Sequence, residues 1–152
     1  MKHVVIPSVN IYVVEDGKVL LSRRANTGWM DGKLCAPGGH VEAGETPRQA
    51  MVREIHEELG ADVAIEDLEL FCVAARNSEP QEYVAYEFII RDKHYDFTNQ
   101  EPDKCSELVW IPLDNLGYDI IPDFKEIIQR GLIKNEVYLE LGYDMTDSSQ
   151  LL

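Results

Sequence analysis

Basic residues are scarce in this chain: 14 lysines and arginines stand against 28 aspartates and glutamates, a formal net charge of −14. A surface charged in this way repels nucleic acid polymers and anionic membranes, which removes both from the expected partners. An anionic small molecule can be held only where cations gather locally. Long apolar runs are missing too. None approaches the ~20 residues needed to span a bilayer. The opening "MKHVVIPSVNIYVV" has neither the h-region nor the small-residue cleavage site of a secretory signal, and reads as a strand. Cysteine is sparse: Cys35, Cys72 and Cys105 are odd in number, widely spaced and form no CxxC pair. They read as buried or free thiols in a reducing cytoplasm, the expected location. With no internal repeat and no low-complexity tract, the chain suits one domain over residues 1–143, followed by a polar tail at 144–152.

"HVVIPSVNIYVVEDGKVLLSRR" predicts two strands joined at Glu15-Asp16-Gly17-Lys18, the Asp-Gly pair being a strong hairpin signal. "NTGWMDGKLCAPGGHVEAGETP" carries five glycines and two prolines and predicts loop, with one short strand at Lys33–Ala36. Thr46 caps a helix, Pro47 suits its first position, Gln49 completes a capping box and Gly60 stops it. The helix is therefore Pro47 to Leu59. Further on, "DVAIEDLELFCVAARN", "EYVAYEFIIRD" and "ELVWIPL" predict strands. "IPDFKEIIQRG" predicts a second helix with Phe124, Ile127 and Ile128 as its apolar face and Gly131 as its stop. "EVYLELGY" fits either a strand or a helix end. The pattern is that of a mixed α/β layered domain.

Chemistry concentrates in "REIHEELG", residues 53–60. On a helix, Glu54, Glu57 and Glu58 stand at i, i+3 and i+4 and project from one side, at a cost of roughly 0.2–0.5 kcal/mol per like-charged pair. At ~100° per residue, Met51, Val52, Ile55 and Leu59 share one arc, and Ala50, Glu54, Glu57 and Glu58 the arc beside it. The acidic arc thus lies at the edge of the core contact and not opposite it. The preceding "APGGHVEAGE" offers Gly38, Gly39 and Gly44, where backbone can approach a ligand or take unusual dihedrals. Glu45 lies at the positive end of the helix dipole and within reach of Arg53. Clustered carboxylates beside backbone carbonyls suit a hard cation, Mg²⁺ or Mn²⁺, completed by substrate phosphates. Such an ion would cancel the repulsion and supply the positive charge an acidic protein needs to hold a polyphosphate.

Gly39, Glu45, Arg53, Glu54, Glu57, Glu58 and Gly60 match every fixed position of the Nudix box, G-x5-E-x7-R-E-U-x-E-E-x-G-U, where U is aliphatic. Ile55 fills the first aliphatic site, and Ala61 is smaller than the usual residue at the second. From "SRRANTGW" onward the chain resembles the MutT-like branch of the Nudix hydrolases. The resemblance implies an α/β/α sandwich with a mixed β-sheet between helices. It also implies metal-dependent hydrolysis of a nucleoside diphosphate linked to another group. By it, Glu57 and Glu58 are metal ligands, with the Gly38 carbonyl beside them, and Glu54 is a further ligand or the base for the attacking water. Arg53 becomes a structural partner of Glu45.

Of Arg23 and Arg24, strand alternation turns only one to the site, and the resemblance favours Arg24 as a phosphate contact. Glu101 and Glu107 lie where some members supply an additional carboxylate. Trp29 and Trp110 are candidates to stack a base. Histidines 3, 40, 56 and 94 show no ligand spacing. Ala36 stands where MutT-like enzymes often carry a larger base-pocket residue, which weakens the case for an oxidised purine. The leading expectation is a pyrophosphohydrolase acting on a nucleoside triphosphate or related nucleotide. The alternatives are an ADP-ribose or sugar-nucleotide pyrophosphatase and a non-catalytic nucleotide-binding module. A homodimer is compatible with any of these.

Overall fold

The computed structural model describes residues 1–143, so the polar tail expected at 144–152 lies outside the described residues. Among the described residues, strands β1 (Ile6–Glu15), β2 (Lys18–Arg24), β3 (Leu34–Cys35), β4 (Gly38–His40), β5 (Glu69–Ser78), β6 (Gln81–Arg91), β7 (Cys105–Pro112) and β8 (Tyr138–Leu141) form one mixed sheet. Its main path runs β3-β2-β1-β6-β5-β8, with β4 paired to β1 and β7 to β2. The β1–β2 hairpin turns where expected, with Asp16 and Gly17 both at positive φ. β1 and β6 run parallel at the centre, with Asn10 opposite Glu87.

Alternation along β1 sorts two cores. Val9, Ile11 and Val13 face one side and pack with Met51, Ile55 and Leu59 of helix α1 (Pro47–Leu59). Tyr12 and Val14 face the other, against Phe124, Ile127 and Ile128 of helix α2 (Pro122–Glu126 and its continuation). A helix therefore lies on each face of the sheet, the α/β/α sandwich expected. Each large apolar side chain of α1 stabilises that packing by about 1.5–3 kcal/mol.

α1 begins and ends where its residues predict. Thr46 and Gln49 form the reciprocal capping box, and Gly60 closes the helix in the left-handed region at φ 66°, its N–H donating to the His56 carbonyl.

Three expectations need correction. Residues 62–68 are not strand: one 3₁₀ turn spans Ile65–Asp67, where the Ala64 N–H donates to the Tyr95 hydroxyl. The "PGG" stretch is not only loop, because Gly38–His40 is a short strand on β1. Gly131 does not stop the second helix, which widens into π-type turns over Ile127–Ile133. A Cβ at Gly131 would stand 3.1 Å from Phe71 and 3.3 Å from Cys72, so the residue serves close approach of helix to β5. "EVYLELGY" resolves as β8, parallel to β5.

Candidate active site

Because the apolar arc of α1 is sunk in the sheet, its acidic arc meets the sheet edge, and the three glutamates diverge there. Glu54 and Glu58, one turn apart, line a cleft of about 310 Å³ together with Glu101, Arg24, Lys104 and Gly38. Glu57 points outward: its side chain is 50% exposed against 13% for Glu54.

Arg53 organises the rim. Its Nε and Nη2 donate to Glu45 at 3.1 and 2.7 Å, and Nη2 also reaches the His40 carbonyl at 3.0 Å. Nη1 donates to Glu54 at 2.8 Å and, more weakly, to Glu57 at 3.4 Å. These bonds tie the glycine segment to the helix, and they hold the Glu45 carboxyl below the usual carboxylate range. The glycines are required by proximity. A Cβ on Gly39 would strike the Glu54 carboxylate, and one on Gly38 would strike the Val9 carbonyl and Asn10.

Among the described residues, Glu58 Oε2 is buried without a hydrogen-bond partner. Burial pushes the Glu58 carboxyl up to about 8, and the neighbouring Glu54 and Glu101 charges add to the rise. Burial also raises Glu54, against the pull of Arg53. Among the described residues no three acidic, histidine or cysteine side chains stand close enough to share one ion. Arg53 holds Glu54 at 2.8 Å and Glu57 at 3.4 Å. The donor set still fits a hard cation: crowded, partly dry carboxylate oxygens with one orphan are what a divalent ion neutralises.

The two arginines separate. Arg24 donates to the Trp29 carbonyl at 2.9 Å and to Thr27 Oγ1 at 3.0 Å, and its guanidinium lies 5.0 Å over the Trp29 ring. Among the described residues it pairs with no carboxylate, so its charge is available to an anion in the cleft. Arg23 is spoken for by Glu107 at 2.6 Å, Gly32 at 2.9 Å and Asp119 at 3.5 Å, and it does not line the cleft. Arg23 is the other candidate substrate contact of the pair, and that candidacy is corrected: its pairing with Glu107 across β2 and β7 holds it away from the cleft. Glu107 is removed from the site by the same pair, whereas Glu101 borders it. Trp110 lies on a separate groove with Tyr95 and Phe97.

Beyond Arg24, Cys35, Ala36 and Gly38, the cleft continues into a second chamber of about 430 Å³. Its polar lining includes Ser8, Asn10, Arg76 and His40, and its aromatic lining Trp29, Tyr83 and Phe124. Sequence reading passed over Lys104, Ser8, Asn10, Arg76 and Tyr83. A signal existed for two of them: Ser8 and Asn10 are polar on the β1 face that Tyr12 and Val14 otherwise bury.

A family model for the NUDIX domain matches residues 5–133. The chain belongs to the Nudix family. Its relatives include the 8-oxo-dGTP diphosphatase of Escherichia coli K12, 47% identical over 53 residues, which are 35% of this chain and 41% of that protein. The chain thus spans about two fifths of that relative's length. The RNA pyrophosphohydrolase of Gluconacetobacter diazotrophicus is 27% identical over 139 residues, 78% of this chain and 83% of that protein. Among solved structures, a MutT NUDIX hydrolase from Burkholderia pseudomallei superposes with a TM-score of 0.75 at 26% identity, covering 84% of this chain and 98% of that one.

Proposed function

We propose that residues 1–143 form a single catalytic domain that hydrolyses a phosphoanhydride of a nucleoside triphosphate or related nucleoside diphosphate compound, using Mg²⁺ or Mn²⁺. The observation that carries this reading is the meeting of Glu54, Glu58 and Glu101 with the unpaired cation Arg24 and with Lys104 in one cleft. Glu54, Glu57, Glu58 and the Gly38 carbonyl would hold the metal, which when bound neutralises charge on the bridging and leaving oxygens. Bringing Glu57 inward requires it to leave Arg53, a 3.4 Å contact on an exposed side chain and therefore a fast rotamer change.

Arg24 and Lys104 bind the phosphates and orient the diphosphate in the cleft. Water attacks one phosphorus; its oxygen forms the new P–O bond, the bridging P–O bond breaks, and the departing phosphate keeps the electron pair. Glu54 or Glu58 takes a proton from that water. The products are a nucleoside monophosphate and pyrophosphate, or the phosphate of the other group. Arg53 is a positioning residue that aims Glu54 and binds the loop through Glu45.

A product-release assay over a nucleotide panel, with Mg²⁺ and with Mn²⁺, tests the reading. Turnover of a phosphoanhydride that stops on chelation is the expected result. No turnover of any panel member with either ion would reduce the domain to a binding module.

A further inference from the structure

The second chamber gathers hydrogen-bond donors and acceptors left open by the protein, whereas the orphan of its acidic neighbour is the carboxylate of Glu58. Arg76, Asn10 and Ser8 are only 8%, 7% and 7% exposed, yet all three line the chamber. Arg76 donates from Nε to Asp123 at 3.1 Å, and among the described residues its terminal nitrogens have no protein acceptor. Ser8 Oγ has no partner among them either. The Asn10 amide nitrogen is turned to Glu87 at 3.2 Å, which leaves its carbonyl oxygen as an acceptor beside Gly38. The buried Ser8 hydroxyl carries a desolvation cost of about 1–3 kcal/mol that a fitting ligand removes, and the open Arg76 and Asn10 atoms offer that ligand further bonds.

The guanidinium of Arg76 is also held in place. It lies 5.0 Å from the Phe124 ring and 6.0 Å from the Tyr83 ring, with its Nε fixed by Asp123. Asp123 neutralises it, and Glu87 lies buried in the strand behind it, so the fork acts as a donor pair and not as a free cation. A second phosphate or a carboxylate is therefore not what the chamber asks for. Aromatic walls at Trp29, Tyr83 and Phe124 ask for a flat ring.

We propose that this chamber holds the nucleobase and that Arg76 makes it select bases bearing a ring carbonyl. Guanine, uracil, thymine and cytosine each present a carbonyl oxygen to the fork. Adenine, which has none, offers only ring nitrogens flanked by its amine, so one arm of the fork goes unmet. This rests on the reading of the cleft as a nucleotide site, and it goes further by setting adenosine nucleotides, ADP-ribose included, among the disfavoured substrates. A well-formed arginine–base pair discriminates by about 1–3 kcal/mol, roughly 5- to 150-fold.

The test is direct binding without metal, followed by quenching of Trp29 fluorescence in a Trp110→Phe background. The probes are GMP, UMP, AMP and ribose 5-phosphate. GMP and UMP are expected to bind at least tenfold more tightly than AMP or ribose 5-phosphate. Arg76→Gln and Arg76→Lys should bring the nucleotides to within about twofold of one another. Equal affinity for all three nucleotides in the parent protein overturns the inference, as does ribose 5-phosphate binding as well as GMP. So does a preference that survives both substitutions in folded protein. Should neither variant fold, the parent's affinity ratio alone decides. A protein that binds GMP selectively but hydrolyses nothing refutes the proposed function and leaves this inference standing. Equal kcat/KM for ATP and GTP does the reverse.

Discussion

The acidic chamber and the second chamber share Arg24, Cys35, Ala36 and Gly38, yet they are built in opposite ways. The acidic chamber draws Glu54 and Glu58 from adjacent turns of α1 and Glu101 from the loop before β7, and its crowding is of charge: burial drives both helix carboxyls upward, with Glu54 adding to the rise of Glu58 and Glu57 and Glu101 to that of Glu54. The second chamber draws its residues from β1, β5, β6 and α2, and its own arginine, Arg76, is already matched by Asp123. What stays unmet there is hydrogen bonding. One chamber is short of a cation, the other of a planar partner. A nucleotide brought in with a metal ion satisfies both, which is the physical case for reading the two as one site.

Breaking the acidic chamber should have the largest effect. Glu58→Gln removes the orphan carboxylate and is expected to lower kcat by about 10²–10⁴-fold. Far-UV circular dichroism and the melting curve should stay those of the parent. A parental rate with Mg²⁺ would remove Glu58 from the machinery.

Next comes a buried carboxyl behind the second chamber. Burial raises Glu87 to about 7, opposed by Arg76 and by the Asn10 hydrogen bond. Its folded-state value thus lies above the ordinary 4.5, so the stability it contributes is fully present below pH 4.5 and is lost as pH rises through about 7. The full excursion is on the order of 3 kcal/mol. Glu45 and Glu136, held low by arginine partners, work in the opposite sense. Denaturant unfolding at pH 5 and pH 8 should show Glu87→Gln gaining on the parent at the higher pH. Parallel curves would mean that Glu87 is ionised in the fold.

The shared wall can be probed glycine by glycine. Gly38→Ala meets backbone at Val9 and should cost about 1–3 kcal/mol of stability. Gly39→Ala meets the end of the Glu54 side chain, which can swing aside, so activity should fall while the melting temperature barely moves. Equal thermal losses in the two variants would contradict that division. The smallest effect belongs to Gly131→Ala in α2, away from both chambers. Contact with Cys72 is partly offset by better helix propensity, leaving a net loss below about 1 kcal/mol by denaturant titration.

Legibility in the sequence followed the distance over which each feature is encoded. The capping residues of α1, the Asp-Gly hairpin and the 23-residue motif are local, and each led to the correct element. Gly131 misled because a glycine at a helix end and a glycine under a packed strand look alike in one dimension. Arg23 and Arg24 are adjacent, and only the pairing of β2 with β7 shows that Glu107 captures the first of them. Arg76 gave no warning at all, since an arginine in a strand is most often on the surface.

By itself, the order of residues determined the family, the acidic helix and the pair of strands that carries it, because periodicity, caps and turn chemistry act over a few residues. Tertiary structure alone decided which glutamates turn inward, which arginine stays free and which polar side chains the sheet leaves buried and unpaired. Those outcomes depend on strand register and on burial beneath a second helix, and both arise only when distant parts of the chain exclude water together.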